Sequence, residues 1–432
     1  MVFSGWRKSG YFDLEAVEMA TRAAAHQLGA KILEQLLCAP AEFDREVPCP
    51  CGQGARFHQM RPKQVVTVLG PITVERPYYL CPACHNGQSP RDAELDTEGT
   101  EYSPGVRRMM AAVGSETSFE RGRQQLELLA GIEVTAKAIE RHAEAIGEDI
   151  AQQEKLRASA ALQLELPEIL SPAVPILYVE IDGTQAPMVP SEVDGRAGRS
   201  EGNPARTREV KIGAVFTQTT TDEEGRPMRD EDSTTYIAAI ETAEEFGPRL
   251  YSEAWERGWS RAQKKVIIAD GADWIWNIAD QYFPGAIQIM DIYHARQHLW
   301  DLARALHPND ETKQKRWVTR QQAKLDGGQI EKLVAALRSI DAATPELANK
   351  IRIEADYFER NAARMCYPEF RRQHLFIGSG VIEAACKTVI GSRLKQSGMF
   401  WTVRGANAII ALRCHRLSRK FEDYWDSRSR AA

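Results

Sequence analysis

The stretch PILYVEIDGTQ, Pro175 to Gln185, decides the fold of this 432-residue chain. Ile176, Val179 and Ile181 make it apolar and β-branched, and Asp182-Gly183 closes it. It therefore reads as a buried sheet strand that delivers a carboxylate to its rim. KKVIIADGADW, Lys264 to Trp274, repeats the design around Asp270. Between the two, Val210 to Thr217 and Thr234 to Ile240 read as strands, with Asp222 to Arg226 a turn between them and a helix from Ala243 to Glu256 before the second acid. AIQIMDIYH adds a fifth strand ending at Asp291. Three hairpin-linked strands followed by two strand-helix units predict an α/β fold, a mixed five-stranded sheet with helices on its faces and with Asp182 and Asp270 on adjacent strands.

A third acid, Glu383, stands in GSGVIEAACK, Gly378 to Lys387, at the start of a helix. Each acid alone is unremarkable, since Asp-Gly is ordinary turn chemistry and a helix dipole welcomes an early Glu. As a set they conflict. Clustered carboxylates beside a packed sheet repel until they take up protons or share a cation, and Mg²⁺ suits hard oxygen ligands. Asp after one strand, Asp after a later one and Glu on a distant helix is the arrangement used by nucleases and transposases of the ribonuclease H-like fold.

With MDIYHARQHL (Met290 to Leu299) and GMFWTVRGANAIIALR (Gly398 to Arg413), these signatures resemble a bacterial insertion-sequence DDE transposase of the Mutator-like superfamily, nearest the Kra-type family. The resemblance covers nearly the whole chain. It implies a ribonuclease H-like core with an all-helical insertion, a catalytic triad of Asp182, Asp270 and Glu383 holding Mg²⁺ or Mn²⁺, and Asp291 and His294 as accessory residues near the scissile phosphate. The implied activity is metal-dependent cleavage of transposon ends and transfer of the exposed 3′-hydroxyl into target DNA. A structure-selective nuclease with the same site, or an inactive descendant acting as a DNA-binding regulator, are the alternatives. It also implies a homo-oligomer on transposon-end and target DNA, in a bacterial cytoplasm at the nucleoid.

Composition agrees: the length suits two or three domains, no apolar run approaches a membrane span, and MVFSGWRKSG lacks a signal-peptide core. A formal net charge of −5 argues against a uniformly basic DNA-binding protein, yet local density matters more than the total. From Asn361 to Lys420, eleven Lys and Arg face two acids, Glu369 and Glu383. Lys387, Arg393, Lys395, Arg404 and Arg413 are the expected DNA contacts there, with Trp401 a stacking surface for unpaired bases.

Upstream, Leu14 to Leu37 has helical apolar spacing. PCPCGQG (Cys49, Cys51) and CPACHNG (Cys81, Cys84) flank the strand-like QVVTVLGPITVERPYYL, a zinc-ribbon plan in which four thiolates hold structural Zn²⁺. The first pair is CxC, so His58 or His85 could replace one thiol. A helix from Ser118 to Ala130, a turn at Gly131 and a second helix capped by Thr135 match a helix-turn-helix, with Lys137 and Arg141 exposed toward DNA. The expected layout is a helical region at 1–47, the zinc ribbon at 48–90, helical DNA-binding residues at 103–165, the catalytic core at 175–306, the helical insertion at 307–375, and the Glu383 helix with its basic tail at 376–432. Residues 191–207 read as a loop.

Overall fold

The structure is a computed structural model that describes residues 7–8, 11–37, 43–163, 165–166, 173–198 and 204–431; part of the expected 191–207 loop and part of the 1–47 region lie outside these. The chain forms two compact units, residues 1–146 with 421–432, and residues 147–420.

In the first unit, helix α1 (Leu14–Leu37) lies on a long hairpin of β1 (Gly54–Thr67) and β2 (Gly70–Leu80). The hairpin turns where the sequence places Gly-Pro: Gly70 has φ +112°, and Thr67 Oγ1 donates to the Gly70 carbonyl at 2.7 Å. Alternation along β1 and β2 sends Val65, Ile72 and Val74 inward beneath Ala30 of α1. Short strands Glu46–Pro48 and Gly87–Gln88 flank the hairpin and carry the cysteine loops. Helix α2 (Pro104–Glu116) and α3 (Phe119–Gln125) follow, and α3 runs into a π-turn, Leu126–Ala130, that stops at left-handed Gly131. Helix α4 (Ala136–Leu162) starts at Thr135, whose Oγ1 accepts the Ala138 N–H at 3.0 Å. The division between units falls inside this helix, although the spacing in the sequence keeps 103–165 together. Nothing in an unbroken helical pattern marks such a boundary.

The second unit holds a five-stranded sheet. Strand β3 (Ile176–Pro187) is central and pairs antiparallel with β4 (Thr207–Gln218), which pairs antiparallel with β5 (Thr235–Ala239). On its other side β3 pairs parallel with β6 (Lys264–Ala269), and β6 parallel with β7 (Ile287–Met290). The spatial order is thus β5-β4-β3-β6-β7. Helix α5 (Ala243–Glu256) opens with a capping box at Thr242 and Glu245. Helices α6 (Asp273–Tyr282) and α7 (Ile292–Leu306) follow β6 and β7, and Asp270 and Asp291 stand where each strand gives way to its helix.

Between α7 and Glu383 come α8 (Glu311–Asp326), α9 (Ile330–Arg338) and α10 (Pro345–Arg360), with the break at Gly327-Gly328 where the sequence puts it. Leu325, Leu333, Leu337 and Phe358 from these helices join one apolar cluster with Ile267 and Ile289 of the sheet. The interpolated helices therefore share the core of the sheet. Helix α11 (Gly380–Ala385) carries Glu383, and α12 (Val403–Leu417) packs on β5. Gly147, near the middle of α4, is pressed against α12 so closely that a Cβ there would meet the Ala408 carbonyl oxygen at 2.0 Å. The last helix, α13 (Phe421–Ala431), belongs with the first unit, where Arg428 pairs with Asp96, so the tail expected as 376–432 divides at Lys420.

Candidate active site

Strand register brings the acids together. Ile181 lies beside Ala269, and Ala269 beside Met290. The next residue along each chain is an acid, so Asp182, midway along β3, lies level with Asp270 and Asp291, which stand just past the carboxyl ends of β6 and β7. This is the rim at which open α/β sheets bind ligands.

The three differ in what holds them. Asp182 is half-buried; its Oδ1 accepts the Gly183 N–H at 2.6 Å, and its Oδ2 accepts the Cys386 thiol at 3.2 Å. Burial pushes its pKa above the usual carboxylate range; the Cys386 and Gly183 hydrogen bonds pull back, and the Asp270 charge adds to the rise. Asp270 is also half-buried and accepts the Ala272 N–H at 3.1 Å. Gly271 between them turns with φ +104°, and a Cβ there would meet the Met290 Cε at 2.9 Å, so only glycine fits this strand exit.

Asp291 is buried and fully engaged. Its Oδ1 accepts the Tyr293 N–H at 2.9 Å as the cap of α7, and its Oδ2 accepts the Ser379 hydroxyl at 2.6 Å. Asp291 thereby ties α7 to the segment before Glu383. The Ile292 N–H reinforces the tie by donating to the Ile377 carbonyl at 3.0 Å.

Glu180, which the sequence reading passed over, makes the second tie. Two residues before Asp182, it points to the same face of β3. It is 1% exposed, and its Oε2 accepts the Ile382 N–H at 2.7 Å, one residue from Glu383. Burial raises its pKa to about 8. The signal for it was an acid inside an otherwise apolar strand core, which needs a partner wherever it occurs.

Glu383 itself is exposed, one turn before Cys386. From Cys386 to Gly391 the helix widens into a π-turn, a departure common at functional sites. Arg413 of α12 caps that widening: its Nε donates to the Val389 carbonyl at 2.7 Å and its guanidinium to the Thr388 carbonyl and to Ser392 Oγ. Arg413, Arg393 and Trp401, expected on a DNA face, are all buried. Arg393 sits over the Trp401 ring at 4.9 Å, and the Trp401 Nε1–H donates to the Leu394 carbonyl at 3.1 Å. Arg413 braces the Glu383 segment because carbonyls freed by a π-turn need donors in a dry interior.

The remaining expected contacts are on the surface. Lys387 and Lys395 are exposed, and Lys395 Nζ donates to Thr184 Oγ1 at 2.7 Å, two residues past Asp182. Arg404 pairs with Glu148. In the first unit Lys137 pairs with Glu140 at 2.7 Å and Arg141 is exposed. His294 is half-buried, with its Nε2 3.2 Å from His298 Nε2.

The cysteines make a separate centre. Cys49 and Cys84 sulfurs are 3.6 Å apart, as are those of Cys51 and Cys81, and all four lie within 4.8 Å of one another. Tetrahedral Zn–S bonds place sulfurs about 3.8 Å apart, so the set can hold a metal such as zinc with no histidine. Tight turns present them: the Gly52 N–H donates to the Cys49 carbonyl at 2.9 Å and the His85 N–H to that of Cys81 at 2.9 Å. Gly52 at φ +84° makes the shorter CxC loop possible. The Cys84 amide, then that of Ala83, lowers the Cys81 pKa to about 6. Among the described residues these thiols are the one group of three or more potential ligands gathered so tightly, and Asp182, Asp270 and Glu383 do not form such a set.

The fold and sites define a mixed α/β protein with an acidic strand-end row and a separate four-thiol centre. A model of the uncharacterised protein family UPF0236 matches residues 9–420, and the chain belongs to that family. No curated protein matches it. Among solved structures it is similar to the Drosophila P element transposase strand transfer complex, at 9% identity over 78% of this chain and 83% of that chain, with a TM-score of 0.24. Among the described residues no helix is long and apolar enough to cross a membrane.

Proposed function

We propose that the protein is a DNA transposase of the DDE type, with a ribonuclease H-like sheet and Mutator-like affinity, that cuts transposon ends and joins the exposed 3′-hydroxyl to target DNA. The observation that carries this reading is the strand register that sets Asp182 beside Asp270, with Glu383 tied to the same strand through Glu180 and Cys386. Burial, with a smaller contribution from the Asp270 charge, raises the Asp182 pKa. Asp182, Asp270 and Glu383 would hold Mg²⁺ or Mn²⁺, which when bound activates the attacking oxygen and stabilises the leaving 3′-oxygen.

The chain's own groups do the positioning. The Gly183 and Ala272 amides each fix one carboxylate oxygen of Asp182 and Asp270, and the Cys386 thiol donates to the second oxygen of Asp182. Asp291 and Glu180 hold residues 377–382, so Glu383 is presented from a braced segment. Lys395 and Lys387 supply positive charge beside the acids for a phosphate backbone. Cutting and joining both displace an oxygen at phosphorus, so one site serves both. The four-thiol module and the α3–α4 pair would contribute DNA contacts, and the protein would act as an oligomer on paired ends.

The discriminating experiment supplies ends already cut, taken from the inverted repeats that flank the reading frame. With Mg²⁺ or Mn²⁺, wild-type protein is expected to join them to target DNA, and Glu383→Gln is not. Cleavage of uncut ends without any joined product, across several targets, would replace the transposase reading with that of a nuclease.

A further inference from the structure

Helices α7 and α10 carry a chain of polar groups that the acids do not account for. Glu354 is buried, and its Oε2 lies 2.6 Å from His298 Nδ1. His298 Nε2 lies 3.2 Å from His294 Nε2. The histidines are one turn apart on α7, so their rings meet. Tyr357, one turn from Glu354 on α10, stacks on His298 with centroids 3.9 Å apart and planes 15° apart, while its hydroxyl donates to Met290 Sδ at 3.2 Å. The His298 ring is therefore fixed in plane by stacking and in rotation by the carboxylate. Asp182 from β3 acts on His294, and Asp270 and Asp291 act on Tyr357.

We infer that Glu354, His298 and His294 form a proton relay whose outer end, His294, serves the carboxylate row; the inference rests on the proposed phosphoryl-transfer site and extends it into the helices between β7 and Glu383. The hydrogen-bond order follows from the donors. A carboxylate only accepts, so His298 carries its proton on Nδ1, and its Nε2 offers a lone pair. His294 must then donate from Nε2, which leaves its Nδ1 as a base. When an attacking water or 3′-hydroxyl loses its proton, His294 Nδ1 takes it, the His294 Nε2 proton passes to His298 Nε2, and the positive charge comes to rest on His298 against Glu354. The oxygen keeps the electron pair that bonds to phosphorus, the displaced 3′-oxygen leaves with the pair of the P–O bond that breaks, and no other reactant is needed. Glu354 and His298 are positioning residues; His294 is the group that meets the nucleophile.

Two readouts test this. In ¹⁵N-histidine spectra of the full-length protein, neutral His298 is expected as the Nδ1–H tautomer and His294 as the Nε2–H tautomer, with Glu354→Leu abolishing that preference. In single-turnover joining of pre-cut ends, Glu354→Gln is expected to slow the step roughly tenfold to a hundredfold without weakening DNA binding, and Glu354→Asp to recover most of the rate. The opposite tautomers in the wild type, or full wild-type rates in a folded Glu354→Gln protein, would overturn the relay. Absence of both cleavage and joining in the wild type would sink the transposase reading instead, while the spectra still decide whether the relay exists.

Discussion

Glu154, in the second half of α4, is held by Arg249 of α5 and by His415 Nε2 at 3.5 Å, while Arg249 also binds Glu241 at 2.8 Å; Glu154 and Arg249 side chains are almost wholly buried. Burial alone would raise the Glu154 pKa, but the Arg249 charge, then the His415 hydrogen bond, outweigh it and lower it to about 2 from 4.5. A depressed carboxylate stabilises the fold above its unfolded pKa, and that contribution is lost as pH falls toward 2. At 1.36 kcal/mol per unit the full contribution is about 3 kcal/mol at neutral pH and about 1 kcal/mol at pH 3. Glu154→Gln keeps the shape and removes the charge, so it is expected to cost about 3 kcal/mol at pH 7, within the range for breaking a buried pair. Urea unfolding followed by tryptophan fluorescence at both pH values measures the difference. A cost under about 1 kcal/mol at pH 7, or the same cost at pH 3, would refute the argument that this pair anchors α4 to the sheet unit.

Asp182→Asn, Asp270→Asn and Glu383→Gln are each expected to lower Mg²⁺-dependent DNA cleavage by roughly a hundredfold or more with unchanged circular dichroism and DNA binding; a variant cleaving at the wild-type rate is not part of the site. Metal analysis of purified protein should give about one zinc per chain, and chelation should melt the Pro48 to Gly87 module while sparing the five-stranded sheet. Finding no zinc in a protein with that module intact would remove the metal. Glu180→Leu strands the Ile382 N–H and should cost about 1–3 kcal/mol along with cleavage activity, while Glu180→Gln keeps an acceptor and should cost much less. Equal losses in the two variants would show that the hydrogen bond does not hold the Glu383 segment.

The sequence alone determined the elements whose cause is local. Apolar runs closed by Asp-Gly specify strands, although β3 runs on past Asp182 to Pro187 while β6 does stop before Asp270. The order of strands and helices fixes a mixed sheet, because a parallel neighbour must be reached through a crossover. Cys49, Cys51, Cys81 and Cys84 were legible as one group because a single hairpin separates the two pairs. Tertiary structure decided which charges face out. Arg393 and Arg413 look like DNA contacts by composition, yet only packing reveals that Arg413 donates to carbonyls of the π-turn after Glu383 and that Arg393 lies buried over Trp401. The same holds for Asp291, bound to a serine 88 residues away, and for Glu180, bound to an amide 202 residues away. Such partners are absent from any local window, since a buried charge states in sequence only that it needs a partner, and the folded chain chooses which.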